Sequence, residues 1–289
     1  LMRSRMKRLL RFFGARVFLP LANRPLRLRG WPPDARPSPP PPPLPPPRLP
    51  IDHTMSAADP LPPYQFGEEL ANSITHGLGT LLALAGMAVL TVFAVRHGQA
   101  AHVAVSTVFG LALVLCFSTS TLYHAIPHER VRHMLRAFDH SAIFVLIAGT
   151  YTPFMAINLA GPLGWSMLAA IWAAAVAGIA LRLVLKGRRH GVVVACYLAM
   201  GWSALLVLRP LIASVARGGL VLIVAGGLAY TIGVGFYRWR SLPYGHAIWH
   251  VFVLAGSAAH FFAVLYYVLP PTAMPTATMT AMTATTWAT

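Results

Sequence analysis

Seven apolar stretches, each close to the roughly 20 residues a helix needs to cross a bilayer, fill the chain from residue 70 to residue 269. They run over about 70–95, 101–123, 137–158, 163–185, 191–210, 218–237 and 246–269. None shows the period-2 alternation of a strand. A segment in lipid must satisfy its own backbone polar groups, so each stretch is expected to be a helix. The expected fold is therefore all-α, a polytopic membrane protein with seven transmembrane helices. Composition agrees: 56% of residues are hydrophobic and 10% charged, against about 25% charged in ordinary soluble domains. The separators read as loops: RHGQ (96–99), PHERVRH (127–133), AGPLG (160–164), KGRRH (186–190) and RWRSLPYG (238–245).

The formal net charge of +16 would point to nucleic acid if it covered a soluble surface, but its distribution argues otherwise. Arg3, Arg5, Lys7, Arg8, Arg11, Arg16, Arg24, Arg27, Arg29, Arg36 and Arg48 precede the first span, and nearly all the rest lie in its short connections. The connections after spans 2, 4 and 6 hold Arg130, Arg132, Arg136, Arg182, Lys186, Arg188, Arg189, Arg238 and Arg240, whereas those after spans 1, 3 and 5 hold only Arg96, Arg209 and Arg217. That asymmetry predicts a cytoplasmic N-terminus and a C-terminal tail on the opposite side. The partners expected are membrane lipids, with no nucleic acid, at a multi-pass position in a cell membrane.

Residues 1–63 are rich in Arg and Pro, including PSPPPPPLPPPRLP from Pro37 to Pro50. Such a run favours an extended polyproline conformation and builds no core, so a disordered arm is expected. Met55 opens the polar run MSAADPLPPYQFGEEL, and an overextended start site is the expected origin of the arm. The seven-helix domain is placed at 64–269, followed by a disordered Thr- and Met-rich tail at 270–289. Cys116 and Cys196 lie inside apolar runs, where buried thiols are expected in preference to a disulfide.

Ionisable groups inside a membrane are costly, so the few present are informative. Span 2 ends in CFSTSTLYHAIP, placing Ser120 and His124 four residues apart on one helix face; span 3 opens with FDHSAIF and carries Asp139; span 7 opens with His246 and His250, again four apart. Alternating topology puts all five residues in the same cytoplasmic half of the bilayer. Three imidazoles with a carboxylate and a hydroxyl at one depth suit zinc, which in catalytic sites takes three protein ligands and leaves a fourth position open. The bland alternative stays open, because H-x-x-x-H alone is a weak pattern and the sequence does not prove spans 2, 3 and 7 adjacent. The remaining histidines fit simpler roles. His128, His133 and His190 are expected in basic connections and His97 and His102 in the first outer one, while His140 and His260 are expected as polar contacts between helices.

At these residues the sequence resembles the hemolysin III family, the bacterial branch of the progestin and adiponectin receptor group, itself similar to the alkaline ceramidases. The resemblance runs from about Glu68 to Tyr267. It rests on E-x-x-N-x-x-x-H at Glu69, Asn72 and His76, on S-x-x-x-H at Ser120 and His124 followed by Asp139, and on H-x-x-x-H at His246 and His250. It implies a zinc ion held by His124, His246 and His250 near the cytoplasmic face, with Asp139 binding or orienting the zinc-bound water and Ser120 lying just behind the ligands. For Glu69, Asn72 and His76 a structural role is expected, capping the first span or packing against other helix ends.

Three functions follow as expectations. The first is a zinc-dependent hydrolase of a lipid amide or ester, ceramidase-like, with Asp139 as base and Ser120 helping to hold the oxyanion. The second is a non-enzymatic receptor-like or membrane-homeostasis protein in which zinc bundles the helices. The third is a cytolysin, ranked last because spans 4, 5 and 6 offer almost no polar lining for a pore.

Overall fold

A computed structural model describes residues 64–185, 189–239 and 241–269. The arm and the tail inferred above therefore fall outside the described residues. Seven helices are long and apolar enough to cross a membrane: α1 (Phe66–His97), α2 (Ala100–Ala125), α3 (Glu129–Asn158), α4 (Pro162–Leu185), α5 (His190–Ser214), α6 (Arg217–Arg238) and α7 (Gly245–Tyr267). No strand occurs among the described residues.

Each helix packs on its chain neighbours, and α7 returns to pack on α1, which closes the bundle. The burial of their apolar windows ranges from 56% in α3 to 17% in α6, making α3 the central helix and α6 a peripheral one. Large side chains such as Leu81, Val95, Val176, Leu206 and Val221 point outward. In water such a surface would be an aggregation hazard; in a bilayer it is the lipid-facing surface. At Gly79 in α1, an added Cβ would come within 2.8 Å of both Phe117 on α2 and Leu254 on α7. The missing side chain lets α1 sit close to both neighbours, as small residues do where membrane helices meet.

Two spans depart from regular α-helix. In α3, Pro153 supplies no N–H, and the chain continues as a π-turn over Phe154–Asn158. In α5, the α-helix His190–Trp202 gives way to 3-10 geometry over Ser203–Val207 before Leu208–Ser214 resumes. Tyr151 of α3 reaches this break. Its hydroxyl lies 2.9 and 2.8 Å from the carbonyl oxygens of Met200 and Gly201 and accepts the Ala204 N–H at 2.8 Å. Protein groups thus satisfy backbone polar atoms that lipid could not.

Several expected connections prove to be helix. PHERVRH reads as a loop from its basic residues, yet α3 begins at Glu129, so Arg132, His133 and Arg136 are helical and Asp139 lies almost three turns in. Glu, Arg and Leu are good helix formers, Glu129 sits in the first turn where the helix dipole favours an acid, and Arg132 finds a buried partner. Arg182 is likewise within α4 and 6% exposed, Arg209 is within α5, and His190 is the first residue of α5. The turn before α7 holds, among the described residues, the one non-glycine residue with positive φ, Tyr244 at 56°, whose N–H donates to Glu68 Oε1 at 3.0 Å. That contact fixes the start of α7 against the start of α1.

Candidate metal centre

The first turns of α1 and α7, the last turn of α2 and the third turn of α3 meet at one end of the bundle. His124 comes from the last turn of α2, and His246 and His250 lie one turn apart on α7, their spacing keeping both on one face. Ring centroids are 5.0 Å apart for His124 and His246, 5.2 Å for His124 and His250, and 4.6 Å for His246 and His250. One donor atom from each of the three lies within 4.8 Å of the other two, so the group could hold a metal ion.

The donor set fits such an ion. His124 and His250 are 3% and 0% exposed and His246 is half-buried, yet the Nε2 of all three has no hydrogen-bond partner. An unpaired buried polar atom costs about 1–3 kcal/mol. With one donor atom from each ring within 4.8 Å of the other two, a shared metal ion would satisfy these atoms, and three imidazoles are a donor set that suits zinc.

Asp139 and Ser120 are close by. Asp139 is 7% exposed and stands outside the three-nitrogen group; its carboxylate feels the His124 ring and the Arg182 and Arg136 guanidinium groups, and lies 3.5 Å from His140 Nδ1. Ser120, 1% exposed, faces that carboxylate, although its hydroxyl meets no partner at full hydrogen-bonding geometry.

Of the two roles expected for the α1 signature, capping is not seen and packing against other helix ends is. Gln65, not Glu69, caps α1, and no side chain bonds the helix start. Glu69, Asn72 and His76 are instead buried inside the bundle. Glu69 Oε2 accepts from His124 Nδ1 at 2.5 Å, and its other oxygen pairs with Arg132. The Asn72 amide lies 3.4 Å from the same His124 nitrogen. His76 stacks on His250 with centroids 3.4 Å apart, and Thr75 Oγ1 lies 3.2 Å from His250 Nδ1. The sequence marks Glu69 only through the motif that carries the family resemblance, and nothing in it singles out Thr75.

A cavity of about 360 Å³ leads away from this end between α3, α5, α6 and α7. His76, Asp139 and Trp249 line it at the site, and Leu211, Ile223 and His260 farther along. His260 Nε2 bonds the Ile223 carbonyl of α6 at 3.2 Å, the interhelical contact its position suggested, whereas His140 Nδ1 bonds the Arg136 carbonyl of its own helix at 2.9 Å. Cys116 and Cys196 are free thiols, the first buried.

Fold and site define a seven-helix membrane protein with a three-histidine group able to hold a metal ion. The chain belongs to the haemolysin-III-related family, whose model matches residues 64–261. It is 46% identical to Hemolysin-3 of Bacillus cereus over 203 residues, covering 70% of this chain and 93% of that protein. Identity to the Hemolysin-3 homolog of Bacillus subtilis (strain 168) is 44% over 200 residues, 69% of this chain and 94% of the relative. The human monocyte to macrophage differentiation factor is 30% identical over 207 residues, 69% and 84% of the two chains.

Proposed function

We propose that the seven-helix part of the chain is a zinc-dependent hydrolase of a lipid amide or ester, working at the cytoplasmic side of the bacterial inner membrane. The observation that carries this reading is the grouping of His124, His246 and His250, each with an unpartnered Nε2 and with one donor atom apiece within 4.8 Å of the others, near Asp139 at the head of a mainly apolar cavity of about 360 Å³. His124, His246 and His250 would hold the ion, which when bound supplies a Lewis acid for a carbonyl and a water activated near neutral pH. Asp139 accepts a proton at its carboxylate. The Ser120 hydroxyl donates to the oxygen on which charge builds, and the cavity takes the acyl chain while its walls keep bulk water from the reacting bond. The orientation is supported by charge: among the described residues Arg130, Arg132, Arg136, Arg182, Arg189 and Arg238 lie at the site's end of the bundle, and Arg96, Arg209 and Arg217 at the other.

A second reading has its own support. The ligands come from α2 and α7, which flank α1, so an ion would staple the bundle without chemistry. The cytolysin that the relatives' names suggest ranks behind both, because the cavity walls are mainly apolar and offer no polar path. Detergent-purified protein, with its zinc content measured, is incubated with ceramide and with ester lipids while free fatty acid is followed. Release that stops on chelation and returns with zinc supports the hydrolase. Full zinc loading with no release from any lipid, together with unfolding on chelation, supports the staple.

A further inference from the structure

The Glu69, Asn72 and His76 signature has no part in the chemistry above, yet α1 touches two of the three ligands on the side away from their unpartnered nitrogens. We propose that Glu69 and Thr75 are positioning residues that lock His124 and His250 in the tautomer presenting Nε2 to the metal, a proposal that rests on the metal reading. A neutral imidazole carries one proton on two nitrogens, and only the bare nitrogen can bind a metal. For His124 the shorter contact decides. Nδ1 faces a carboxylate oxygen at 2.5 Å, and a carboxylate only accepts, so in the neutral ring the proton sits on Nδ1. The Asn72 amide 3.4 Å away turns its oxygen to it, and Nε2 keeps its lone pair.

For His250 the same result follows by a different route. The single Thr75 hydroxyl proton is directed at the carbonyl oxygens of Ala71 and Asn72, each 2.9 Å away on its own helix. Towards His250 Nδ1, at 3.2 Å, the hydroxyl therefore presents its lone pair, and the ring must donate. Spacing makes this possible: Glu69 and Thr75 are six residues apart, so one helix serves a ligand on α2 and a ligand on α7. Arg132 completes the arrangement by setting a cation against the other Glu69 oxygen, so that a buried carboxylate is available without an uncompensated charge. A carboxylate behind a ligating histidine raises its basicity and fixes its ring, and loss of such a partner typically weakens metal binding about 10–100-fold.

The rival is an ion pair that merely pins α1 to α3. The test is cobalt(II) and zinc affinity by chelator competition, with the cobalt d–d absorption spectrum, for the full-length wild type, Glu69→Gln and Thr75→Val in detergent. Expected are a roughly 10–100-fold loss for Glu69→Gln with an altered spectrum, and a loss of several-fold for Thr75→Val, whose shape is nearly unchanged. Thr75→Val also carries the test if Glu69→Gln does not fold. Wild-type affinity and an unchanged spectrum in the variants that fold would overturn the proposal while leaving the metal reading intact. A wild type that binds neither ion would overturn both.

Discussion

The two halves of this bundle are built on different terms. Where α1, α2, α3 and α7 meet, buried polar groups are dense: Glu69, Asn72, His76, Ser120, His124, Arg132, Asp139 and His250 are all under 9% exposed. Windows of α2, α3 and α7 are 44%, 56% and 39% buried, against 22% and 17% for α5 and α6; α1, at 22%, is buried mainly at its site end. The second half keeps few polar side chains and encloses space. The comparison teaches that rigidity and room are separated: dense contacts hold the donors in place, and sparse packing of α5 against α4 and α6 provides volume a lipid tail can occupy.

The largest expected effect is at the dense end. His250→Ala removes a fully buried ligand, and the purified variant is expected to lose stoichiometric metal that the wild type retains, read by elemental analysis. Retained stoichiometric metal would mean that the polar half is packing alone. Asp139→Asn is expected to keep the metal and to lower lipid turnover by about 10²–10⁴-fold, the range of a general base; wild-type turnover would remove Asp139 from the chemistry. In the loose half, Ala204→Phe fills part of the cavity wall. It is expected to raise KM for long acyl chains by about tenfold and leave short ones nearly unchanged, since each excluded methylene is worth about 0.8 kcal/mol. A uniform loss across chain lengths would place the lipid elsewhere. The smallest effect belongs to Tyr151→Phe, which strips the partner from the break in α5; thermal denaturation is expected to show a loss of about 1–3 kcal/mol with metal content unchanged.

The two halves were also unequally legible in the sequence. All seven spans can be read from apolar run length, because lipid requires the same thing of every residue in a run. The breaks cannot: GWSALLVLRP is nearly as apolar as its surroundings, and the 3-10 turn is satisfied by Ser203 within it together with Tyr151, some 50 positions away in sequence. The start of α3 was misplaced for the opposite reason. ERVRH looks like a solvated loop until Arg132 is seen paired with Glu69. Among the site residues, His124, His246 and His250 were visible because four-residue spacing and span polarity are local facts. The contact of Glu69 with His124 is a relation between helices, which no single helix can announce.

The metal-capable group draws one donor from the second span and two from the last. As the chain leaves the ribosome and its helices enter the membrane in turn, His124 is in place long before its two companions exist. No three-point capture of an ion can occur until Gly245–Tyr267 has inserted and closed against α1. Any loading with metal at this group would thereby be tied to completion of the whole chain, and a truncated or stalled product would remain a single-histidine fragment with no three-point site.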